Sequence, residues 1–267
     1  MDLTFIIPTR IETEDRLRNI ISSVSYLLKH VPAKIIVKEV APHNTFKHRA
    51  IPEIKKYADT TNLTSLFEET DAPLFCKSKV LNDLIVAADT KVVANYDADC
   101  ILPVNSYYQA YEGIEKDKAD VVYPYGCGIY QWKAEYNMQV YQEFISTLDH
   151  RVLDKRRTLS NSTIGWTQFV NRQKYIDSYM MNENFVSWGC EDDEFYFRMS
   201  TLGNRIARVN DYVYHLEHSR TWNSWFSSPK FNDNWNLWHK IKTFDKKKLM
   251  EYYEEQEYLK TRRKQLQ

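Results

Sequence analysis

Two carboxylates follow an apolar run near the middle of the sequence. Asp97 and Asp99 stand one residue apart, directly after residues 91–95 (KVVAN), which read as a buried strand. Carboxylate oxygens suit hard divalent cations such as Mg²⁺ or Mn²⁺, and phosphate oxygens can complete the shell. An Asp-x-Asp pair is common by chance and is often a solvated turn, but α/β sheets bind ligands where their strands end. The pair therefore indicates a site where a bound divalent cation holds a diphosphate.

A second acidic group lies about ninety residues further on. Four consecutive acids, residues 191–194, follow the pair Trp188-Gly189. A helix N-terminus favours acids through its dipole, and this explains one or two of them. The preceding Trp-Gly is not explained in that way. One of these carboxylates is a candidate general base that takes a proton from a hydroxyl.

Two imidazoles form a third group. His215 and His218 are three residues apart after an extended segment, so both can reach one ion. Imidazole suits Zn²⁺ well and Mn²⁺ tolerably. The alternative is that one or both are ordinary core or surface histidines. With Asp99 and two phosphate oxygens, the pair would give a cation a nearly octahedral shell, and the cation would neutralise charge on a leaving diphosphate.

Strands and helices alternate through the first half of the chain. Strands are predicted at residues 3–8, 34–40, 63–68, 91–95 and 120–123, and helices at 16–28, 51–57, 79–88 and 106–116. This order predicts an α/β fold with a mostly parallel sheet flanked by helices. In the second half, residues 130–153 are predicted as one or two helices, 191–202 as a helix, and 165–170, 205–209 and 212–216 as strands. The charged stretch after Phe244 is interpreted as a surface helix that frays.

Composition excludes several classes of protein. Thirty-six basic residues balance thirty-six acidic ones, so no overall field attracts nucleic acid or an anionic membrane. The opening residues lack the features of a signal peptide, and no apolar stretch spans a bilayer. The four cysteines show no C-x-x-C spacing and are interpreted as reduced thiols. The sequons at Asn62 and Asn161 are then chance matches, and we expect a cytoplasmic protein.

These three groups of residues resemble motifs of the GT-A glycosyltransferases. Within that group they resemble the β-1,4-galactosyltransferase family and its chondroitin-polymerase-like and N-acetylgalactosaminyltransferase relatives. The run LFCKSKVLNDLIVAADTKVVANYDADCILP is similar to their helix, strand and Asp-x-Asp turn. SWGCEDDEFYFRM resembles their Trp-Gly-x-Glu-Asp-Asp segment, HLEHSR their metal-binding segment, and IIPTR their first strand. Four motifs in the family's order are far more specific than any one of them.

The resemblance implies a role for each matching residue. Asp99, His215 and His218 would bind Mn²⁺ or Mg²⁺, with His215 standing where the family often has Met. Asp192 would be the general base and Glu191 would orient a sugar. The implied donor contacts are Pro8, Thr9, Arg10, Glu39, Lys79, Asp97 and Trp188. Lys77 is a further candidate for phosphate contact. A Cys at position 190 replaces the family's usual Gly. The Golgi members of the family carry a membrane anchor and disulfides, and since neither is expected here, a bacterial or viral origin is expected.

The implied protein is a Rossmann-like GT-A domain with a terminal helix. Residues 1–125 would form its nucleotide-sugar-binding half, 126–225 its acceptor and catalytic half, and 226–267 a helical extension. We expect an inverting hexosyl- or pentosyltransferase that uses a UDP-sugar and a glycan or polysaccharide acceptor, or a modified nucleic acid if the source is a phage. The aromatic candidates for acceptor stacking are Trp166, Trp222, Trp225 and Trp235. The alternatives are a metal-dependent nucleotidyl- or phosphoryl-transfer enzyme and a non-catalytic sugar-binding module.

Overall fold

The computed structural model describes residues 1–160 and 163–266, so the sequon at Asn161 lies outside them. The strands are β1 (Leu3–Thr9), β2 (Lys34–Ala41), β3 (Leu63–Glu69), β4 (Val92–Tyr96), β5 (Cys100–Ile101), β6 (Val121–Tyr123), β7 (Gln131–Ala134), β8 (Arg157–Leu159), β9 (Thr167–Asn171), β10 (Ile206–Arg208) and β11 (Val213–Leu216). The α-helices are α1 (Glu14–His30), α2 (Ile51–Ile54), α3 (Lys77–Ala87), α4 (Val104–Glu115), α5 (Met138–Thr147), α6 (Arg172–Asp177), α7 (Glu191–Leu202), α8 (Phe231–Ile241), α9 (Lys246–Glu254) and α10 (Glu257–Gln265). Shorter helical turns cover Phe46–Ala50, Gly128–Tyr130, His150–Arg156 and Trp222–Ser224.

The main sheet has seven strands in the order β10-β6-β9-β4-β1-β2-β3. All neighbours run parallel except β9, which is antiparallel to β4 and β6. Every residue of β1 and of β4 is buried, as expected of central strands covered by helices on both faces. The predicted mostly parallel α/β sheet is thus confirmed, and its central strands end beside the Asp-x-Asp pair.

A second, smaller sheet has the order β5-β11-β7-β8. Its strand β11 runs parallel to β7 and antiparallel to β5. Strand β7 differs from the prediction that residues 130–153 form one or two helices, and β8 lies just beyond that range. Within the range, α5 and the first part of the turn at His150–Arg156 are helical, and Tyr130 ends the turn at Gly128–Tyr130. The four residues of β7 are too few to show a period, so pairing with β11 decides their conformation.

Helices α8 and α9 pack against α7, and α10 packs against α3, which corrects the prediction of a fraying surface helix after Phe244. Their apolar side chains Ile241, Leu249, Tyr253 and Leu259 are buried. Arg262 is also buried and forms ion pairs with Asp83 and with Glu183. The apolar face of these helices was not evident from the sequence, because the segment is rich in charged residues. Most of its Lys and Glu side chains lie on the opposite, exposed side of the helices.

A fully buried ion pair joins this region to α7. Arg198 donates from Nε to Glu194 Oε1 over 2.9 Å, and neither side chain is exposed. The hydroxyl of Tyr253 in α9 donates to the same carboxylate, and the guanidinium lies 4.9 Å from the centre of the Tyr253 ring. Through these contacts the C-terminal helix α9 holds α7 in place. Every helix in the described part of the chain is too short or too polar to cross a lipid bilayer.

Candidate active site

Two strands bring the first and third sequence groups together. Asp99 precedes β5, and in the pairing of β5 with β11 Cys100 lies opposite His215. The amide of Leu216 donates to the Asp99 carbonyl over 2.7 Å. One ligand atom each from Asp99, His215 and His218 can be chosen so that all lie within 4.8 Å of one another. The three residues predicted to share one ion are therefore adjacent.

The tautomer of His218 favours a cation at this point. Its Nδ1 lies 2.9 Å from the Ser219 carbonyl oxygen and must donate to it. In the neutral ring Nε2 then presents a lone pair to Asp99 Oδ2, only 3.1 Å away. Two acceptors at this distance repel unless a proton or a metal ion lies between them. A backbone carbonyl that fixes the far nitrogen is also the usual support of a metal-binding histidine.

His215 is neutral at physiological pH. Burial lowers its pKa to about 4, although the carboxylate of Asp99, 3.6 Å from its Nε2, acts in the opposite direction. Its ring stacks on Trp166 with centroids 5.3 Å apart. Burial alone would raise the pKa of Asp99, but the imidazoles of His215 and His218, when they carry an added proton, hold it well below its ordinary value. A carboxylate and a neutral imidazole fit a divalent cation such as Mn²⁺.

Lys77 connects the Asp-x-Asp pair to the second acidic group. It is the first residue of α3, and its Nζ lies 2.9 Å from Asp97 Oδ1 and 3.7 Å from Asp192 Oδ2. Burial favours the neutral amine, but the two carboxylates hold the pKa of Lys77 well above its ordinary value. Burial raises the pKa of Asp97 to about 6, with Lys77 opposing it. From its sequence position Lys77 was predicted only as a phosphate contact, and this bridge between two carboxylates was not predicted.

Asp192 sits in the first turn of α7. Burial raises its pKa to about 8, Lys77 opposes the rise, and Glu191 adds to it. Gln168 of β9 approaches Asp192 Oδ1 at 3.4 Å. A carboxyl group with a pKa near neutrality matches the requirement for a general acid or base.

The loop before α7 has an unusual backbone. Gly189 has φ 122° and Cys190 has φ 68°, both in the left-handed region. The Gly189 amide donates to Glu191 Oε2 over 2.9 Å, which fixes the Glu191 carboxylate at the helix start. Cys190 occupies a conformation that glycine adopts at lower cost, and glycine is what the galactosyltransferases usually have here. In this strained backbone conformation the carboxylates of Glu191 and Asp192 both line one cleft.

That cleft has a volume of about 820 Å³ and holds most of the predicted site residues. It is lined by Pro8, Thr9, Arg10, Asp97, Asp99, Trp188, Glu191, Asp192, His215 and His218. Lys79 lies elsewhere and pairs with Glu68 at 3.2 Å. It is two positions beyond Lys77, about 200° further around α3, so the two lysines face opposite directions.

Glu39 also differs from the prediction of a donor contact. It lies beside Thr9 in the parallel pairing of β1 with β2, but its side chain is completely buried beneath the cleft. After β2 the chain folds back across the Glu39 side chain, and the Phe46 amide donates to Glu39 Oε2 over 2.7 Å. Burial raises the pKa of Glu39, and this backbone hydrogen bond opposes the rise. In this conformation Glu39 supports the wall of the cleft and does not face into it.

Two arginines in the cleft wall were not predicted as site residues. Arg16 and Arg220 line it on the side of Asp99, and Arg16 donates to the Ser224 hydroxyl over 3.0 Å. Together with Arg10 and Lys77 they give the cation end of the cleft the positive charge that a diphosphate needs. Arg16 follows an Asp at the start of α1, so in the sequence it looks like an ordinary surface residue of the first turn.

Aromatic rings extend from the cleft along the surface. Trp188 contacts Phe226 with ring centroids 4.9 Å apart, Phe226 contacts Phe231 at 5.0 Å, and Phe231 contacts Trp235 at 6.1 Å. Phe226 and Trp235 are exposed by 57% and 47%. This aromatic row, Trp188–Phe226–Phe231–Trp235, includes one of the predicted stacking residues. Trp225 adjoins it, Trp166 lies under His215, and the side chain of Trp222 is outside the described part of the structure.

Residues 151–219 match the family model described as the N-terminal domain of galactosyltransferase. This segment carries Trp188, Glu191, Asp192, His215 and His218. No curated protein matches the chain by sequence. The predicted resemblance to galactosyltransferases is thus confirmed over this segment.

Several solved structures share the fold. S. aureus TarS 1-349 in complex with UDP-GlcNAc superposes with a TM-score of 0.57 at 15% identity, over 89% of this chain and 64% of that one. GalNAc-T7 with UDP, GalNAc and Mn²⁺ gives 0.60 at 13% identity, over 90% and 47%. The mannosyltransferase PcManGT from Pyrobaculum calidifontis, in complex with GDP-Man and Mn²⁺, gives 0.53 at 13% identity, over 91% and 61%.

This chain has the GT-A fold of these three structures. It spans between 47% and 64% of the length of the three structures. The motifs of the resembled family occur in this GT-A protein in the family's order. The structure brings Asp99, His215 and His218, which lie in two of those motifs, close together.

Proposed function

We propose that the protein is a metal-dependent inverting glycosyltransferase that moves a sugar from UDP to an acceptor hydroxyl. The observation that carries this proposal is the convergence of Asp99, His215 and His218, with His218 Nε2 only 3.1 Å from Asp99 Oδ2, a contact that is favourable when a metal ion or a proton lies between the two atoms. The three neighbouring structures have bound UDP-GlcNAc, UDP with GalNAc, or GDP-Man, and two of them contain Mn²⁺. A nucleotide-sugar donor with Mn²⁺ or Mg²⁺ is the ligand set that fits this cleft.

The donor would lie across the carboxyl ends of the central strands. Asp99, His215 and His218 would hold the cation, which when bound neutralises charge on the diphosphate as it leaves. Arg16 and Arg220, which line the cleft on the side of Asp99, would bind phosphate oxygens beside the cation. Pro8, Thr9 and Arg10 at the end of β1 would contact the nucleotide, and Asp97 its sugar.

The chemistry would be a single displacement. The acceptor oxygen forms a bond to the anomeric carbon while the bond from that carbon to the β-phosphate oxygen breaks, and the electron pair leaves with UDP. Asp192 takes the proton of the acceptor hydroxyl, and Glu191 orients the sugar. Attack from the face opposite the diphosphate inverts the anomeric configuration. Lys77 keeps its positive charge between Asp97 and Asp192, so it stabilises Asp192 as a carboxylate.

The acceptor side would begin at Trp188 and continue along the aromatic row. Exposed flat rings stack on the apolar faces of pyranoses. The inner end of the row lies next to the start of α7 and therefore next to Asp192. This arrangement favours a glycan acceptor over a small alcohol.

A donor screen tests the proposal. The protein is incubated with UDP-glucose, UDP-galactose, their N-acetyl analogues and UDP-xylose, with Mn²⁺ or with EDTA, and free UDP is measured. We expect UDP release from one donor with Mn²⁺ and none with EDTA. Pyrophosphate release would instead indicate nucleotidyl transfer. Donor binding by calorimetry without any turnover across acceptors would indicate a sugar-binding module.

A further inference from the structure

Two of the three predicted cation ligands, Asp99 and His218, lie outside regular secondary structure, whereas His215 is in β11. Asp99 is in a turn between β4 and β5, and β11 ends at Leu216, two residues before His218. A ligand on an irregular loop loses conformational freedom when a metal binds, which weakens binding unless other contacts already fix the loop. The contacts of these two loops therefore decide how well the site is preformed.

One face of α1 supplies those contacts. Asp15, Asn19 and Ser23 follow each other at intervals of four residues and so lie along one side of the helix. The Ser23 hydroxyl donates over 2.7 Å to the carbonyl of Ala98, the residue between Asp97 and Asp99. The Asn19 amide donates to the carbonyls of Leu216 and Glu217 over 3.1 and 3.2 Å.

Asp15 holds the histidine loop at its other end. Its Oδ2 accepts from both the amide and the hydroxyl of Ser219, the latter over 2.7 Å. Ser219 follows His218, and its carbonyl is the acceptor that fixes the His218 ring. Burial alone would raise the pKa of Asp15, but hydrogen bonds from Thr13 and Ser219 hold it well below its ordinary value. The hydrogen bonds of Asp15 thus reach the residue that orients His218.

These hydrogen bonds connect α1 with both irregular segments that carry cation ligands. Helix α1 holds Ala98 and residues 216–219, and the Leu216 amide joins the two segments through the Asp99 carbonyl. Ser23 and Asn19 are buried, so their hydrogen bonds do not compete with water. His215 is held by strand pairing, and the hydrogen bonds from α1 hold the segments that carry Asp99 and His218.

We propose that Asp15, Asn19 and Ser23 of α1 are positioning residues that preorganise the cation site. This inference rests on the proposed function, because it assumes that Asp99, His215 and His218 bind the metal. None of the three α1 residues would touch the ion. Their loss would weaken cation binding without removing a ligand, and outer-shell partners of metal ligands typically contribute a factor of about 10–100 in affinity.

The test is Mn²⁺ binding to the full chain, without donor or acceptor, measured by electron paramagnetic resonance and calorimetry. The variants are Asp15→Ala, Asp15→Asn and Ser23→Ala. The control is Ser25→Ala, since Ser25 is buried on the same helix and its hydroxyl has no hydrogen-bond partner among the described residues. Circular dichroism and thermal melts of the metal-free proteins show whether each variant folds.

We expect Asp15→Ala and Ser23→Ala to raise the Kd for Mn²⁺ about tenfold, while Ser25→Ala leaves it unchanged. Asp15→Asn keeps an acceptor for the Ser219 amide and should retain more affinity than Asp15→Ala. Equal Kd values in all folded variants would overturn the positioning role while leaving the cation site intact. Failure of the unaltered protein to bind Mn²⁺ would instead remove the cation site and the proposed function with it.

Discussion

Gly165 lies directly against the carboxylate of Asp192. A β-carbon added to Gly165 would lie 2.1 Å from Asp192 Oδ2, closer than any real contact. Gly165 precedes β9, and its carbonyl is 3.5 Å from Lys77 Nζ. The candidate base is therefore confined by backbone on one side and by a lysine on the other.

We expect Gly165→Ala to move the Asp192 carboxylate and to lower kcat about 100-fold, because a displacement of about 1 Å is enough to cause such a loss. Donor binding should change little, since the cation ligands are on other segments. Steady-state kinetics and donor titration check this. The control is Gly113→Ala in α4, remote from the cleft. Normal kcat in Gly165→Ala would show that Asp192 can shift without consequence.

The rate should rise with pH. A base acts when ionised, and the pKa of Asp192 is raised to about 8, so kcat/KM should increase about tenfold per pH unit below that value and level off above it. Asp192→Asn should remove turnover and spare donor binding. Because Lys77 opposes the rise in this pKa, Lys77→Met should move the midpoint to higher pH. A flat profile in the unaltered protein would contradict the assignment of Asp192 as the base.

Asp99→Ala should abolish metal-dependent UDP release and leave the fold intact. It removes the carboxylate that both imidazoles face, and the two histidines alone bind Mn²⁺ weakly. The matched control is Asp89→Ala, an exposed acid that pairs with Lys34. UDP release at increasing Mn²⁺ and a thermal melt of each variant are the measurements. Full activity of Asp99→Ala at the same Mn²⁺ concentration would place the ion elsewhere.

Trp235→Ala should raise the KM for an oligosaccharide acceptor about tenfold, as expected when one stacking partner of about 1 kcal/mol is lost together with some apolar contact. Hydrolysis of the donor in the absence of acceptor should be unaffected, because Trp235 lies outside the cleft lining. The control is Met250→Ala, which also removes a large exposed apolar side chain. If both variants behave alike on an acceptor series of increasing length, the aromatic row does not bind the acceptor.

Removal of Arg198 should destabilise the protein by about 3–5 kcal/mol, because it leaves the buried Glu194 carboxylate without its charged partner. The double change Glu194→Leu with Arg198→Met should recover much of this loss. Urea unfolding of both variants gives the free energies. Additive losses in the double variant would show that the two charges are not coupled.

The parts of the site that follow strands could be predicted from the sequence. Apolar runs located β1, β2 and β4 closely, and position after a strand placed Asp97 and Asp99 in the cleft. Helix α7 was also predicted with the bounds that the structure gives. In these segments local pattern and tertiary packing favour the same conformation.

The remainder depends on contacts between distant residues. The short strands β7 and β8 form because β11 pairs with β7, and no local pattern shows this. Which of Lys77 and Lys79 faces the cleft depends on the rotation of α3. The burial of Arg262 depends on Asp83, nearly 180 residues earlier in the chain. Single-sequence patterns carry no information on such pairs.

The pairing of His215 with Cys100 fixes the register of β11 against β5. Side chains of a strand alternate between the two faces of its sheet, so a slip of one residue would turn His215 away from Asp99. A single codon gained or lost within β11 would therefore separate the imidazole from the carboxylate, while the pairing of the seven-stranded sheet stayed as it is.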